Sequence, residues 1–462
     1  MEEDAIVLED TIIAIATPPG FGGLGIVRIS GKKALAVARR IFDTKRKSKR
    51  PFPVRRPVFG TVRDPETGET LDEAFLTYFK APRSYTREDV VELSVHGSPA
   101  VLEAILRTGS KAGARLAQPG EFTLRAHLNG RLDMLQAEAV NDLIRSVSLT
   151  QARVSSRQLG GSLSRRMFRL RARLIGLLSR VEAGLEFPEE NIRTSATADL
   201  TALRSLIDDI SRLIASYETG RALAEGITLA IVGRTNVGKS TLFNALLEEE
   251  RAIVTPFPGT TRDFLREKLL LDGVVFHLVD MAGLSRPSHP VERTGIVRGQ
   301  RIARDSDGLL IVIDASSPDC DEDCKLIRKF RGKTSLIVLN KCDLPRKTTS
   351  RRVRDFVRES PVVEVSALKG RGLDKLRSEI SARFGLGPGK ADEIILHARQ
   401  KDRLQTMLEA LSRAEALLRK GHSEEVCVEE IRTALHLVGE LTGEVRVEEI
   451  LDDVFSRFCV GK

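Results

Sequence analysis

The chain has 462 residues, enough for two or three domains that each bury an apolar core, so stability requires no disulfide or metal staple. Its 73 lysines and arginines against 64 aspartates and glutamates leave a formal charge of +9, which favours polyanions such as RNA and says nothing about fold. Five cysteines without a CxxC pair, and no signal-like or long uncharged apolar run, argue against a disulfide framework and against a membrane span; the expected compartment is a reducing cytoplasm.

Residues 1–122 mix short β-rich runs (Thr11 to Ala16, Gly25 to Ser30, Val90 to Val95) with helical stretches (Lys32 to Phe42, Ala100 to Ala112), the pattern of an α+β domain. The run Gly20-Phe-Gly-Gly-Leu-Gly25 is formally G-x-G-x-x-G. A dinucleotide loop must open a helix, whereas Ile26-Val-Arg-Ile29 continues as a strand, so a glycine-rich hairpin is expected. From 123 to 220 the pattern is helical, with Leu163, Met167, Leu170, Leu174, Leu177, Val181 and Leu185 on one face. Arg165, Arg166, Arg169, Arg171 and Arg173 decorate that helix, either as a solvated face or as a track for nucleic-acid phosphates.

Strands and helices alternate over 221–384, as a doubly wound sheet requires, and helical periodicity returns over 385–462 (Leu404, Met407, Leu408, Leu411, then Ile450, Leu451, Val454, Phe455, Phe458). A nucleotide domain inserted into a helical domain is therefore expected. Cys320 and Cys324 read as part of a surface loop, and His96 and His127 as structural.

Within the inserted segment, the apolar run Ile227 to Val232 leads into Gly233-Arg-Thr-Asn-Val-Gly238-Lys239-Ser240 and a helix beginning at Thr241. This is the context of a P-loop: Asn236, Val237 and Gly238 bring backbone N–H groups to phosphate, Lys239 adds a point charge, and the Ser240 hydroxyl can ligate Mg²⁺. Asp280-Met281-Ala282-Gly283 follows a second apolar run, so the carboxylate can hold the Mg²⁺ shell while the Gly283 N–H meets a γ-phosphate. Asn340-Lys341-Cys342-Asp343 ends a third; the Asp343 carboxylate can accept from the ring N–H and the exocyclic amine of guanine, a pair that adenine lacks. Ser366-Ala367-Leu368 offers a backbone amide to the guanine O6. Thr261, in Gly259-Thr260-Thr261, can reach Mg²⁺ once its loop closes. Leu284 follows Gly283 and cannot hold an attacking water, so another group must orient it.

These four motifs, in this order, resemble the small GTPase superfamily. Five further runs resemble one family within it, the MnmE (TrmE) tRNA-modification GTPases: Asp10 to Gly20, Pro119-Gly-Glu-Phe-Thr-Leu-Arg-Ala126, Gly259-Thr-Thr-Arg-Asp263, Val291-Glu-Arg293 and Phe458-Cys-Val-Gly-Lys462. The resemblance implies a homodimer with an N-terminal folate-binding domain, and G domains that pair in a potassium-dependent way. It also implies a complex with the FAD-dependent MnmG that places an aminomethyl or carboxymethylaminomethyl group on C5 of the wobble uridine of certain tRNAs.

By the same resemblance, Thr255, Pro256, Phe257, Pro258, Gly259 and Thr260 belong to the GTP site, and K⁺ would be held by Asn236 and by carbonyls of Thr255, Phe257 and Thr260. Ser240 and Thr261 would bind Mg²⁺, and Glu292 would orient the attacking water. A 5-formyl- or methylene-tetrahydrofolate would touch Arg28, Glu92, Arg131 (a lysine in the family) and Lys462. The family's Thr after the aspartate of DTAG is Met281 here. Cys459 reads as a small apolar contact. A GTP-switched RNA-binding or ribosome-assembly factor remains the alternative reading.

Overall fold

The computed structural model describes residues 10–44, 51–186, 196–247, 266–280, 301–318, 321–348, 360–385, 394–420, 424–445, 451, 454–456 and 458–461. Its packing forms two compact units. One comprises Met1–Asn141, Gln158–Arg193 and Ser423–Lys462, and the other Asp142–Arg157 and Thr194–His422.

In the first unit β1 (Ile12–Ile15) and β2 (Gly22–Ser30) pair antiparallel, with Ile12 opposite Ser30 and Ile15 opposite Val27. The Gly20–Gly25 run is thus the turn and start of a strand, as expected, with Phe21 fully in solvent at its tip. Helix α1 (Ala34–Ile41) buries Ala34, Val37, Ala38 and Ile41, a three- and four-residue repeat that gives it one apolar face.

Strands β3 (Phe42–Asp43), β4 (Val58–Arg63), β5 (Thr70–Phe79) and β6 (Val90–Gly97) follow, then α2 (Pro99–Lys111) and β7 (Arg115–Leu116). The sheet order is β3-β4-β5-β6-β2-β1-β7, antiparallel except for β1 with β7. Helices α1 and α2 share a core with the sheet that contains Ile13, Val27, Ile29, Leu76, Leu93 and Ile105. Proline in the first turn of α2 costs no hydrogen bond, because that N–H would be unpaired in any helix.

Four helices come next: α3 (Glu121–Leu128), α4 (Met134–Arg145), α5 (Leu149–Leu159) and α6 (Ser162–Glu186). The stripe on α6 is buried at Leu163, Met167, Leu170, Leu174, Leu177 and Val181, while Arg165, Arg169 and Arg173 are exposed. α7 (Ala196–Ala215) and α8 (Tyr217–Glu225) then lead into the second sheet: β8 (Ile227–Val232), α9 (Lys239–Leu247), β9 (Arg266–Leu271), β10 (Val274–Asp280), β11 (Gly308–Asp314), α10 (Asp321–Lys329), β12 (Ser335–Asn340), β13 (Val362–Glu364) and α11 (Leu373–Phe384).

Its order, β13-β12-β11-β8-β10-β9, is parallel except for β9. Both faces are covered. Leu229, Ile231, Leu310 and Val312 pack on one side, and their sequence neighbours Ala230, Val232, Leu309 and Ile311 on the other. A parallel sheet buried on two faces accounts for the unbroken apolar runs.

After the sheet come α12 (Ala398–Lys420) and α13 (Glu424–Thr442). Helix α12 packs on α7, which precedes the sheet, so the chain leaves a helical pair, builds the α/β domain and returns. Helix α13 packs on α6. This is a doubly wound P-loop domain inserted into helices and preceded by an α+β domain.

Candidate functional site

Strand β8 lies between β10 and β11, and ligands of such sheets bind beyond the carboxyl ends of the central strands. The turn after β8 is tight for a steric reason. A Cβ on Gly233 would lie 2.5 Å from the Val312 carbonyl, and Gly238 sits at φ +93° against the Asn340 amide. Asn236 is left-handed at φ 64°, an uncommon state for a residue with a side chain. Helix α9 then begins at Lys239, so its free N–H groups and dipole face the turn.

Lys239 Nζ donates to the carbonyls of Gly233 (3.1 Å) and Arg234 (2.6 Å). Burial lowers its pKa and the Asp280 carboxylate works against that fall. A phosphate beside the ammonium would reverse the effect of burial. The Ser240 hydroxyl donates to Asp280 Oδ2 at 2.8 Å. A hydroxyl and a carboxylate that close to each other are the hard oxygen donors that Mg²⁺ takes alongside nucleotide phosphate, so the residues present fit that ion. Thr241 is exposed on the first turn of α9.

The segment after β12 is bound to this turn by side chains. Buried Asn340 donates through Nδ2 to the Val237 carbonyl (2.9 Å) and accepts at Oδ1 from the Ala367 N–H (3.0 Å). Lys341, left-handed at φ 63°, donates through Nζ to the Asn236 carbonyl (2.7 Å) and to Asp314 Oδ2 (2.6 Å). Burial alone would raise the Asp314 pKa, but Lys341 and Ser316 outweigh it and hold the carboxyl below its ordinary value. The Asp343 carboxyl is likewise lowered, chiefly by a hydrogen bond from Ser366. It is therefore ionised and oriented, ready to accept from a purine that presents two donors. Because the Ala367 N–H is committed to Asn340, the amide left in that loop without a partner among the described residues is that of Leu368.

The first unit gathers a second group. Arg28, on β2, pairs with Glu92, directly opposite on β6, at 2.8 Å, and donates to the Gly461 carbonyl at 3.3 Å. Its guanidinium lies over the rings of Tyr85 (5.3 Å) and Phe122 (5.6 Å). Arg131 lies over the same Tyr85 ring at 4.5 Å and donates to the Tyr85 carbonyl at 2.7 Å. A β-bridge between Val460 and Pro119 brings the far end of the chain to this group.

Comparison with known proteins agrees with this arrangement along the chain. The family model described as the MnmE helical domain matches residues 134–459, and the one described as the GTP-binding protein TrmE N-terminus matches 11–131. The chain is similar to the tRNA modification GTPase MnmE of Aquifex aeolicus (43% identity over 98% of this chain and all of that protein). It is also similar to those of Geobacter sulfurreducens (41%, 98% and 100%) and Thermoanaerobacter pseudethanolicus (39%, 98% and 99%). The chain belongs to the MnmE family.

Of the residues that the family resemblance singles out, Asn236 to Thr241, Asp280, Asn340, Lys341, Asp343 and Ser366 to Leu368 are described and cluster at one end of the second sheet. Thr255 to Thr261, Met281 to Gly283, Glu292 and Lys462 lie outside the described residues. Asp314 was not singled out in the sequence. Its only local sign is an acid at the end of a buried apolar strand.

Two expectations are corrected. Cys324 is no loop residue: it is buried on α10, whose amphipathic turn hides it, while Cys320 lies outside the described residues. Cys459 fills no buried apolar position: its side chain is exposed, next to the Val460 bridge. His127 is structural, buried with Nδ1 3.0 Å from the Leu132 carbonyl, whereas His96 is exposed and paired with Asp72 at 2.8 Å. Among the described residues no helix is long and apolar enough to cross a membrane.

Proposed function

We propose that this chain binds and hydrolyses GTP to drive tRNA modification in the cytoplasm. Working with the FAD-dependent MnmG, it would install an aminomethyl or carboxymethylaminomethyl group on C5 of the wobble uridine of certain tRNAs. The observation that carries the nucleotide part is Asn340, which ties the phosphate turn at Val237 to the Ser366–Leu368 loop and sets the oriented Asp343 carboxylate beside them.

In this reading Lys239 and the N–H groups from Asn236 to Thr241 hold the phosphates, and Ser240, Thr261 and Asp280 hold the magnesium shell. Glu292 orients the attacking water, since Leu284 cannot. Asn236 and the carbonyls of Thr255, Phe257 and Thr260 would hold K⁺, which would supply positive charge where the transferring phosphate gains negative charge. Residues 1–122 serve dimerisation and one-carbon folate binding through Arg28, Glu92, Arg131 and Lys462, with 221–384 as the GTPase domain between helical segments 123–220 and 385–462. The fit to a folate rests on the chemistry of the group: carboxylate, guanidinium and aromatic faces suit a pterin and a glutamate. Steady-state GTP hydrolysis in NaCl and KCl of equal ionic strength tests the proposal. Selective activation by K⁺ is expected, and equal slow rates in both salts would overturn the cation-assisted mechanism.

A further inference from the structure

Several exposed cations of the first unit are paired with carboxylates. Arg63 faces Asp43, Arg107 faces Glu103, Lys111 faces Glu66, and Arg115 faces Asp10 and Glu121. Arg55, Arg83, Arg87 and Arg131 differ. They line one concavity of about 460 Å³ together with Phe79 and Tyr85, and none makes an ion pair among the described residues.

Three of them are held instead by neutral carbonyls: Arg55 on Arg83 O (2.7 Å), Arg87 on Asn129 O (2.9 Å) and Arg131 on Tyr85 O (2.7 Å). A carbonyl positions a guanidinium without cancelling its charge, so the four remain a preorganised, self-repelling set that an anion would stabilise. The backbone bears the same mark. Arg55 (φ 58°) and Arg87 (φ 61°) are left-handed, a state that five non-glycine described residues adopt, two of the others being Asn236 and Lys341 of the nucleotide site. Strained conformations of this kind concentrate where a site must hold its shape.

Continuity decides which anion. The Tyr85 ring is shared: Arg131 lies over it from the concavity, and Arg28, partner of Glu92, also lies over it. A ligand at Arg28 and Glu92 therefore has the arginine concavity beside it. We propose that this concavity binds the γ-linked polyglutamyl tail of a reduced folate, with the carboxylate of each added glutamate meeting Arg55, Arg83 or Arg87. The inference rests on the folate reading of Arg28, Glu92 and Arg131. A nucleic-acid backbone would call for a stripe of cations along an extended surface, whereas these four surround a hollow that holds a few glutamyl residues.

The test is calorimetric titration of the full chain with 5-formyltetrahydrofolate as the monoglutamate and as the penta-γ-glutamate. Several exposed charge-assisted contacts predict roughly tenfold tighter binding of the pentaglutamate, an advantage that shrinks as salt rises. Arg83 makes no side-chain hydrogen bond among the described residues, so R83Q carries little risk to the fold. That variant, and R83Q combined with R87Q, should lose most of the advantage while monoglutamate affinity and GTP hydrolysis stay unchanged. Equal affinity for the two forms would overturn this inference and leave the folate reading standing. No binding of either form would overturn both. If R83Q weakened tRNA binding while the pentaglutamate kept its advantage, the concavity would belong to RNA and the inference would fall.

Discussion

Replacing Asn340 with alanine removes one side chain that serves two loops. Its amide satisfies the Val237 carbonyl and the Ala367 N–H, and with Asn340 only 2% exposed neither group gains ready access to water. A buried backbone group left unpaired costs about 1–3 kcal/mol; at about 1–2 kcal/mol for each of these two, the lower half of that range, the free protein loses about 2–4 kcal/mol of local order in the phosphate turn and the base loop. Nucleotide must then supply that ordering on binding. At about 1.4 kcal/mol per tenfold, GDP affinity should fall roughly 30-fold to several hundredfold.

The chain has no tryptophan, so the titration is read from a fluorescent GDP analogue. Gly238→Ala probes the same contact from the other side, because its Cβ would collide with the Asn340 amide in a backbone held at φ +93°. If N340A bound GDP within about twofold of the parent, the view that this amide organises the site would be wrong.

Two further outcomes are expected. Asp314→Ala takes the anion from Lys341, leaves the Asn236 carbonyl as its one partner among the described residues, and should weaken GDP about fivefold, since the pair is partly solvated; unchanged affinity would show that Lys341 needs no counter-ion. Arg125→Met strips the guanidinium from buried Glu121, from Glu88 and from Asp10, at a cost of about 3–5 kcal/mol near neutral pH.

The pH dependence of that loss follows from the carboxyls of Glu121 and Asp10, both of which Arg125 helps to lower. Burial alone would raise the Glu121 pKa, but Arg115, the Gln118 N–H and Arg125 together lower it below 4.5. A depressed carboxyl contributes stability above its unfolded pKa and loses it as pH falls through the folded one. The difference in thermal unfolding between the parent and R125M should therefore be full at pH 7 and shrink below about pH 4. A difference that stayed constant into acid would exclude Glu121 and Asp10 as its source.

The strand-and-turn settings of Gly233 to Ser240, Asn340 to Asp343 and Ser366 to Leu368 were legible in the sequence because each is a local event, a strand ending in a turn whose residue types are set by steric and phosphate chemistry. The glycine-rich hairpin was legible for the same reason: Ile26 to Ile29 could only continue as a strand. Strands β4 and β5 were not, because the first carries Gly60 mid-strand, where a Cβ would collide with the Asp43 carbonyl, and the second begins with the solvated run Thr70 to Glu73.

What the sequence could not decide is which distant groups meet. Asn340 reaches Val237 across 103 positions, Arg28 reaches Gly461 across 433, and four arginines spread from 55 to 131 surround one hollow. Residue types and periodicity determine elements, motifs and their order along the chain. Pairings between remote side chains depend on strand order and helix docking, which only the packed tertiary structure sets.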